Sequence, residues 1–280
     1  MSRSAIRRAR RGAGRGKRRS RRNGSDLKWF ALIAVLASIV VGGFLASDYY
    51  MRELAVDDET LCPVDGPEHA TLVLLDLTDP ISAAQSSRLR TILGGEIARA
   101  PAGTMFSVGV VSEDPTNWGA RFARCKPQQE ENANPLIQNP RMIGERYNDE
   151  FIVPFDQAIG TLLTVEAENS SPIMESLQAL VADSPSIETV PGRRKLIVVS
   201  DLLQNSQILS FFREEYWEEF ASVGGVTRLA GDLHNVEVMI LRIPRQTSQT
   251  GEDRVDQFWI RYFDFQGTNG SFDVRILGDL

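Results

Sequence analysis

From Trp29 to Ala46 the chain reads WFALIAVLASIVVGGFLA, eighteen residues without a charge or a proline. At about 1.5 Å per helical residue such a run nearly crosses a ~30 Å hydrocarbon core, and Ser47 to Tyr50 complete the crossing. Trp29 stands at one boundary and Tyr49 and Tyr50 at the other, where aromatic rings prefer the headgroup zone. The pattern predicts one membrane-spanning helix over residues 29–50. A cleaved signal peptide is the competing reading; its apolar region is typically shorter, and no clear A-x-A site follows Phe44.

Charge divides the chain at this helix. Residues 1–28 carry twelve of the 31 Lys and Arg against one of the 37 Asp and Glu, leaving the remainder at a net charge of −17. Bases cluster between Arg15 and Lys28, whereas Arg52 alone precedes the acids Asp57, Asp58 and Glu59. The positive-inside rule then puts the N-terminus in the cytoplasm. Residues 1–28, poor in apolar side chains, predict a disordered basic arm. With no interleaved aromatic residues to stack on bases, the arm suits anionic membrane lipid rather than nucleic acid.

Residues 51–67 read as a linker, and after them a soluble domain begins. Ala70 to Asp76 (ATLVLLD) and Lys195 to Asp201 (KLIVVSD) are apolar runs that each stop at an aspartate, the signature of strands buried on both faces of a parallel sheet. Further strands are predicted at Thr104–Ser112, Trp118–Arg124, Asn235–Ile243 and Phe272–Leu277. Helices are predicted from Pro80 to about Ala100, over Tyr147–Thr164, Pro172–Ala182, Ile208–Val223 and Asp253–Phe265. Residues 126–145, with Pro127, Pro135 and Pro140, form a long polar loop that could serve as a partner surface or simply as a solvated excursion. Alternating strands and helices imply right-handed crossovers and an open, mostly parallel sheet with helices on both faces. Two aromatic stripes at helical spacing are read as core: Phe212, Tyr216 and Phe220, and Val255, Phe258, Trp259 and Tyr262. The pairs Gly94-Gly95 and Gly224-Gly225 are read as helix ends, not as a phosphate loop.

The segments DLTDPIS (Asp76–Ser82), SSPIMESL (Ser170–Leu177) and VVSDLLQ (Val198–Gln204) together resemble the von Willebrand factor type A (VWA) domain. The resemblance covers residues 68–280. It implies a Rossmann-like six-stranded sheet in the order 3-2-1-4-5-6 and a metal-ion-dependent adhesion site. That site combines an Asp-x-Ser-x-Ser loop, a threonine opening a later helix, and an aspartate after the fourth strand. Asp76 matches the first aspartate, Thr78 the first hydroxyl and Asp201 the final aspartate. Ser171 stands for the threonine, and the last hydroxyl falls on Pro80, which offers no ligand atom.

The implied cofactor is Mg²⁺, a hard cation that takes near-octahedral oxygen ligands and keeps several waters. The competing reading is that Asp76, Thr78 and Ser171 only cap helices. Cys62 and Cys125 are the two cysteines. They are either buried thiols or, in an oxidising compartment, a bridge. The implied strand order favours the bridge. Cys62 leads into the first strand at the edge where the antiparallel third strand ends at Cys125, and residues 62–67 can span the ~10 Å between them.

The layout and the resemblance together imply a bacterial inner-membrane protein with its VWA-like domain in the periplasm. Its function would be to bind or scaffold a protein partner in an envelope assembly, without catalysis. The alternative is a metal-dependent hydrolase using Asp76 and Asp201. Against it, an aspartate-nucleophile phosphatase usually has a second acid two positions on, where this chain has Thr78. His69 and His234 precede strands, at the end of the sheet away from both aspartates, so a Ser/His/Asp triad is not expected.

Overall fold

The computed structural model describes residues 24–53, 56–114, 118–164, 170–184, 186–244, 252–270 and 272–278. Most of the expected basic arm lies outside these residues. The chain divides into two compact units, residues 1–53 and 54–280. In the first, α1 (Gly24–Glu53) is one continuous helix, longer at both ends than the expected span. Its stretch Lys28–Leu45 is long and apolar enough to cross a membrane, with a mean hydropathy of 2.1 and none of its residues buried. In water such a surface would be strongly unfavourable, and a bilayer removes that cost.

In the second unit six strands form one sheet: β1 (His69–Leu75), β2 (Thr104–Val110), β3 (Phe122–Cys125), β4 (Arg194–Ser200), β5 (Glu237–Arg242) and β6 (Phe272–Ile276). Their order is β3-β2-β1-β4-β5-β6, as the resemblance implies. Only the β2–β3 pair is antiparallel. The helices are α2 (Ala83–Arg99), α3 (Pro140–Arg146), α4 (Val153–Leu162), α5 (Ile173–Asp183) and α6 (Ser186–Thr189), then α7 (Trp217–Ser222), α8 (Gly225–Arg228) and α9 (Glu252–Phe265).

Side-chain alternation along the strands feeds two cores. Val73 and Leu75 of β1, with Phe106, Val108, Ile197 and Val199, pack against Leu89, Leu93 and Ile97 of α2 and Phe155 and Ile159 of α4. On the other face Leu72 and Leu74, with Leu196, Val198, Val238 and Ile240, meet Leu177 and Leu180 of α5 and Phe258, Trp259 and Tyr262 of α9. Burial on both faces explains why β1 and β4 are continuous apolar runs rather than alternating ones.

Several boundaries differ from expectation for local reasons. Pro80 lies before α2, whose N-cap is Ser82 in a capping box with Gln85. Gly94 and Gly95 sit inside α2, not at its end. The loop 126–145 contains a short 3₁₀ turn and, from Pro140, α3. A π-helical stretch, Tyr147–Ile152, then leads into α4. Pro154 has no N–H and its ring would crowd the carbonyl four residues back, and the wider turn accommodates it.

The helix expected over Ile208–Val223 is broken: a 3₁₀ turn at Phe211–Arg213 ends at Glu214, whose φ is +56°. Phe211 is therefore the buried residue, packing 5.1 Å from Phe258, and Phe212 is exposed. Residues 56–67 are not a bare linker. Leu61 is buried in the α2-side core, Val56 bridges Pro63, and the Cys125 N–H donates to the Thr60 carbonyl at 2.7 Å. That pairing brings Cys62 and Cys125 to disulfide-bonding distance, with sulfurs 2.13 Å and Cα atoms 4.7 Å apart.

Candidate functional site

Parallel strands deliver their carboxyl ends to one rim of the sheet, where loops from different parts of the chain meet. Asp76 follows β1 and is anchored by its own N–H, which donates to the Val199 carbonyl at 2.7 Å. Its side chain is almost fully buried. One carboxylate oxygen, Oδ1, accepts the Thr78 hydroxyl at 2.7 Å. The other, Oδ2, accepts the Ser171 hydroxyl at 3.1 Å and the Ser200 hydroxyl at 2.7 Å. Three hydroxyls, two from loops and one from the end of β4, thus converge on one carboxylate.

Asp201 is the next residue after Ser200 and is also buried. Its Oδ1 accepts the Leu203 N–H at 2.8 Å, which fixes the start of the loop after β4. Leu202, between them, has a φ of +69°, unusual for a branched-chain residue, and is held from three sides. Its N–H donates to the Ser200 hydroxyl at 2.7 Å, the Gln204 N–H donates to its carbonyl at 3.0 Å, and the Trp259 indole N–H donates to the same carbonyl at 2.8 Å.

The loop then pins the segment that carries Ser171. Backbone N–H groups of Ser171 and Asn205 donate to each other's carbonyls at 3.0 and 2.8 Å. Gln204, fully buried, accepts the Met174 N–H at the start of α5 through Oε1 and donates from Nε2 to Glu175. A backbone N–H in the first turn of α5, one of the four every helix leaves unpaired, is thereby used to fasten the rim.

Asp76, Thr78 and Ser171 are therefore joined by hydrogen bonds, and Asp201 follows Ser200 in the chain. The capping reading does not describe their contacts, since Ser82 caps α2 and α5 begins after Pro172 without a side-chain cap. Ser200, Gln204 and Asn205 were missed by sequence reasoning. Ser200 alone had a usable signal, a hydroxyl ending a buried strand beside an aspartate. The donors at the rim are all oxygens, the chemistry a hard cation selects. Among the described residues no three or more His, Cys, Asp or Glu cluster to hold a metal, so acidic ligands are at most two here. His69, at the start of β1, accepts the Arg193 N–H at the opposite end of the sheet, and His234 precedes β5.

No protein-family model and no curated protein sequence matches this chain. Among solved structures it is similar to the SpRpn10 VWA domain, with 12% identity and a TM-score of 0.41, over 74% of this chain and 87% of that one. It is similar to a von Willebrand factor type A protein from Catenulispora acidiphila, with 11% identity and a TM-score of 0.33. There it covers 75% of this chain but only 38% of the other. An aerotolerance-related membrane protein from Bacteroides fragilis gives 10% identity and a TM-score of 0.31, over 74% and 90% of the two chains. The domain is VWA-like in fold: its strand order, its one antiparallel strand and its helices on both faces are those the motif segments imply.

Proposed function

We propose that this chain is a single-pass inner-membrane protein whose VWA-like domain faces the periplasm and binds a protein partner through a Mg²⁺-dependent rim. The observation that carries the reading is the convergence of Thr78, Ser171 and Ser200 on the two oxygens of Asp76. Three hydroxyls held around one carboxylate, with lone pairs still available to accept, suit an ion that lies outside them.

Asp76, Thr78, Ser171 and Asp201 would hold the cation, and Ser200 would keep the Asp76 carboxylate oriented. Pro80 leaves a coordination place to water, which Mg²⁺ tolerates. Bound there, the ion would offer a Lewis-acidic position to an acidic group on the partner.

The test uses full-length protein extracted from its own membrane. Mn²⁺, as a paramagnetic stand-in, should bind the wild-type chain and bind Asp76→Asn at least about tenfold more weakly, since one carboxylate charge is gone. A partner should co-purify without chelator and be lost with it. Equal Mn²⁺ binding by both proteins, or a partner indifferent to chelator and to Asp76→Asn, would remove the metal from the account.

A further inference from the structure

The sheet's far edge is formed by β6, which pairs with β5 and, among the described residues, with no other strand. The Leu277 N–H donates to the Arg242 carbonyl at 2.7 Å. Backbone polar groups alternate sides along a strand, so those of Asp273 and Arg275 also address β5, and those of Phe272, Val274 and Ile276 point outward. An open row of donors and acceptors invites another strand, and proteins usually blunt it with charge, proline or a cover. Here the edge strand carries the charged pair Asp273 and Arg275 on one face and apolar side chains on the other. Phe272 packs on Phe263 of α9, whereas Val274 and Ile276, on the same face, are 55% and 64% exposed.

We propose that β6 pairs antiparallel with β6 of a second copy of this chain, about a two-fold axis through Val274, joining two sheets into one. The strand Phe272-Asp273-Val274-Arg275-Ile276 is complementary to itself in that register. Asp273 faces Arg275 of the second copy and Arg275 faces its Asp273, so both charges are matched twice. On the other face Phe272 opposes Ile276, Val274 opposes Val274, and Ile276 opposes Phe272. Within one strand Asp273 and Arg275 share a face and pair at 2.6 Å.

The outward N–H and C=O groups of residues 272, 274 and 276 then exchange roughly six hydrogen bonds. Asp273 and Arg275 fall at the non-hydrogen-bonded pairs, where facing side chains come closest. A two-residue slip would set Arg275 against Arg275 in one direction and Asp273 against Asp273 in the other, so the register is specified by the sequence.

The experiment is cross-linking of the full-length chain in its membrane. In the hydrogen-bonded central pair the Cα atoms lie ~5.5 Å apart, within the range a disulfide accepts, so Val274→Cys should form a covalent dimer on mild oxidation. Ile260→Cys, exposed on α9, should stay monomeric. In the Val274→Cys background, Asp273→Arg or Arg275→Asp alone should cut the dimer by about tenfold, because like charges then face each other twice. The double reversal should restore it. All four sites are at the surface, so unfolding midpoints should stay near wild type and report that each variant is folded. Absence of the Val274→Cys dimer, a dimer insensitive to the single reversals, no rescue by the double, or cross-linking to a different protein would each overturn the proposal.

Discussion

At the scale of single residues the chain places several polar groups where only their partners make them tolerable. Lys126 is 2% exposed, and its Nζ donates to the carbonyls of Ala98 and Ala100 at 3.3 and 2.5 Å and to Oε1 of Gln129 at 3.0 Å. It thus satisfies carbonyls that α2 leaves open at its C-terminal end, where a cation is also favoured by the helix dipole. Burial pushes the Lys126 ammonium below the usual lysine range, with the Glu131 charge opposing. Lys126→Met should therefore cost about 1–3 kcal/mol in urea unfolding at neutral pH, the penalty for orphaned buried acceptors. The pH dependence has a definite sign. Because the folded value is depressed, the unfolded chain holds the proton more tightly, and this group adds stability as pH rises from the folded toward the unfolded value. The methionine variant should lack that alkaline increment, and an identical slope in both proteins would refute the assignment.

Elements show what the sequence could disclose. The two apolar runs ending in Asp76 and Asp201 were legible as parallel strands because burial on both faces leaves no alternation to misread. The resemblance to the VWA domain then implied their order and the rim, and Thr78 and Ser171 followed from matching its motif position by position. Gln204 and Asn205 were not legible, because their roles depend on the strained turn at Leu202, and nothing in the local pattern announces a positive φ at leucine. The broken helix at Glu214 was hidden for a similar reason: Phe212, Tyr216 and Phe220 have helical spacing, but the core takes Phe211 in place of Phe212, while Phe220 is buried and Tyr216 packs against the same core. Gly94 was misread because a glycine pair usually marks an end, whereas here it lies in the interior of α2. A Cβ built at Gly94 meets nothing within 4 Å. Gly94→Ala should accordingly stabilise the domain by about 0.5–1 kcal/mol, the conformational entropy that glycine releases on unfolding. A thermal melt that falls rather than rises would mean that this face of α2 is covered by something other than solvent.

For the whole molecule, the apolar helix and the cysteine pair make a joint claim about where the domain resides. Residues 54–280 form a compact unit with a core on each face of its sheet. Cys62 ties the segment before β1 to Cys125 at the end of β3, across a sequence separation of 63. On the chain-entropy account, closing a loop of that length stabilises by about 4 kcal/mol, although measured bridges often deliver less. A domain of this size shifts its melting temperature by roughly 2–4 °C per kcal/mol, so reduction should lower Tm by about 8–16 °C. Bridges persist outside the reducing cytoplasm, and an N-terminus held in the cytoplasm by its basic arm would put the domain on that other side. Protein taken from its own membrane under alkylating conditions should therefore gain no label until a reductant is added, and two labels afterwards. A reporter fused after Leu280 should be active only if it functions when exported. Two labelled thiols before reduction, together with a reporter active only in the cytosol, would reverse the orientation; labelled thiols with an exported reporter would keep the orientation and remove the bridge.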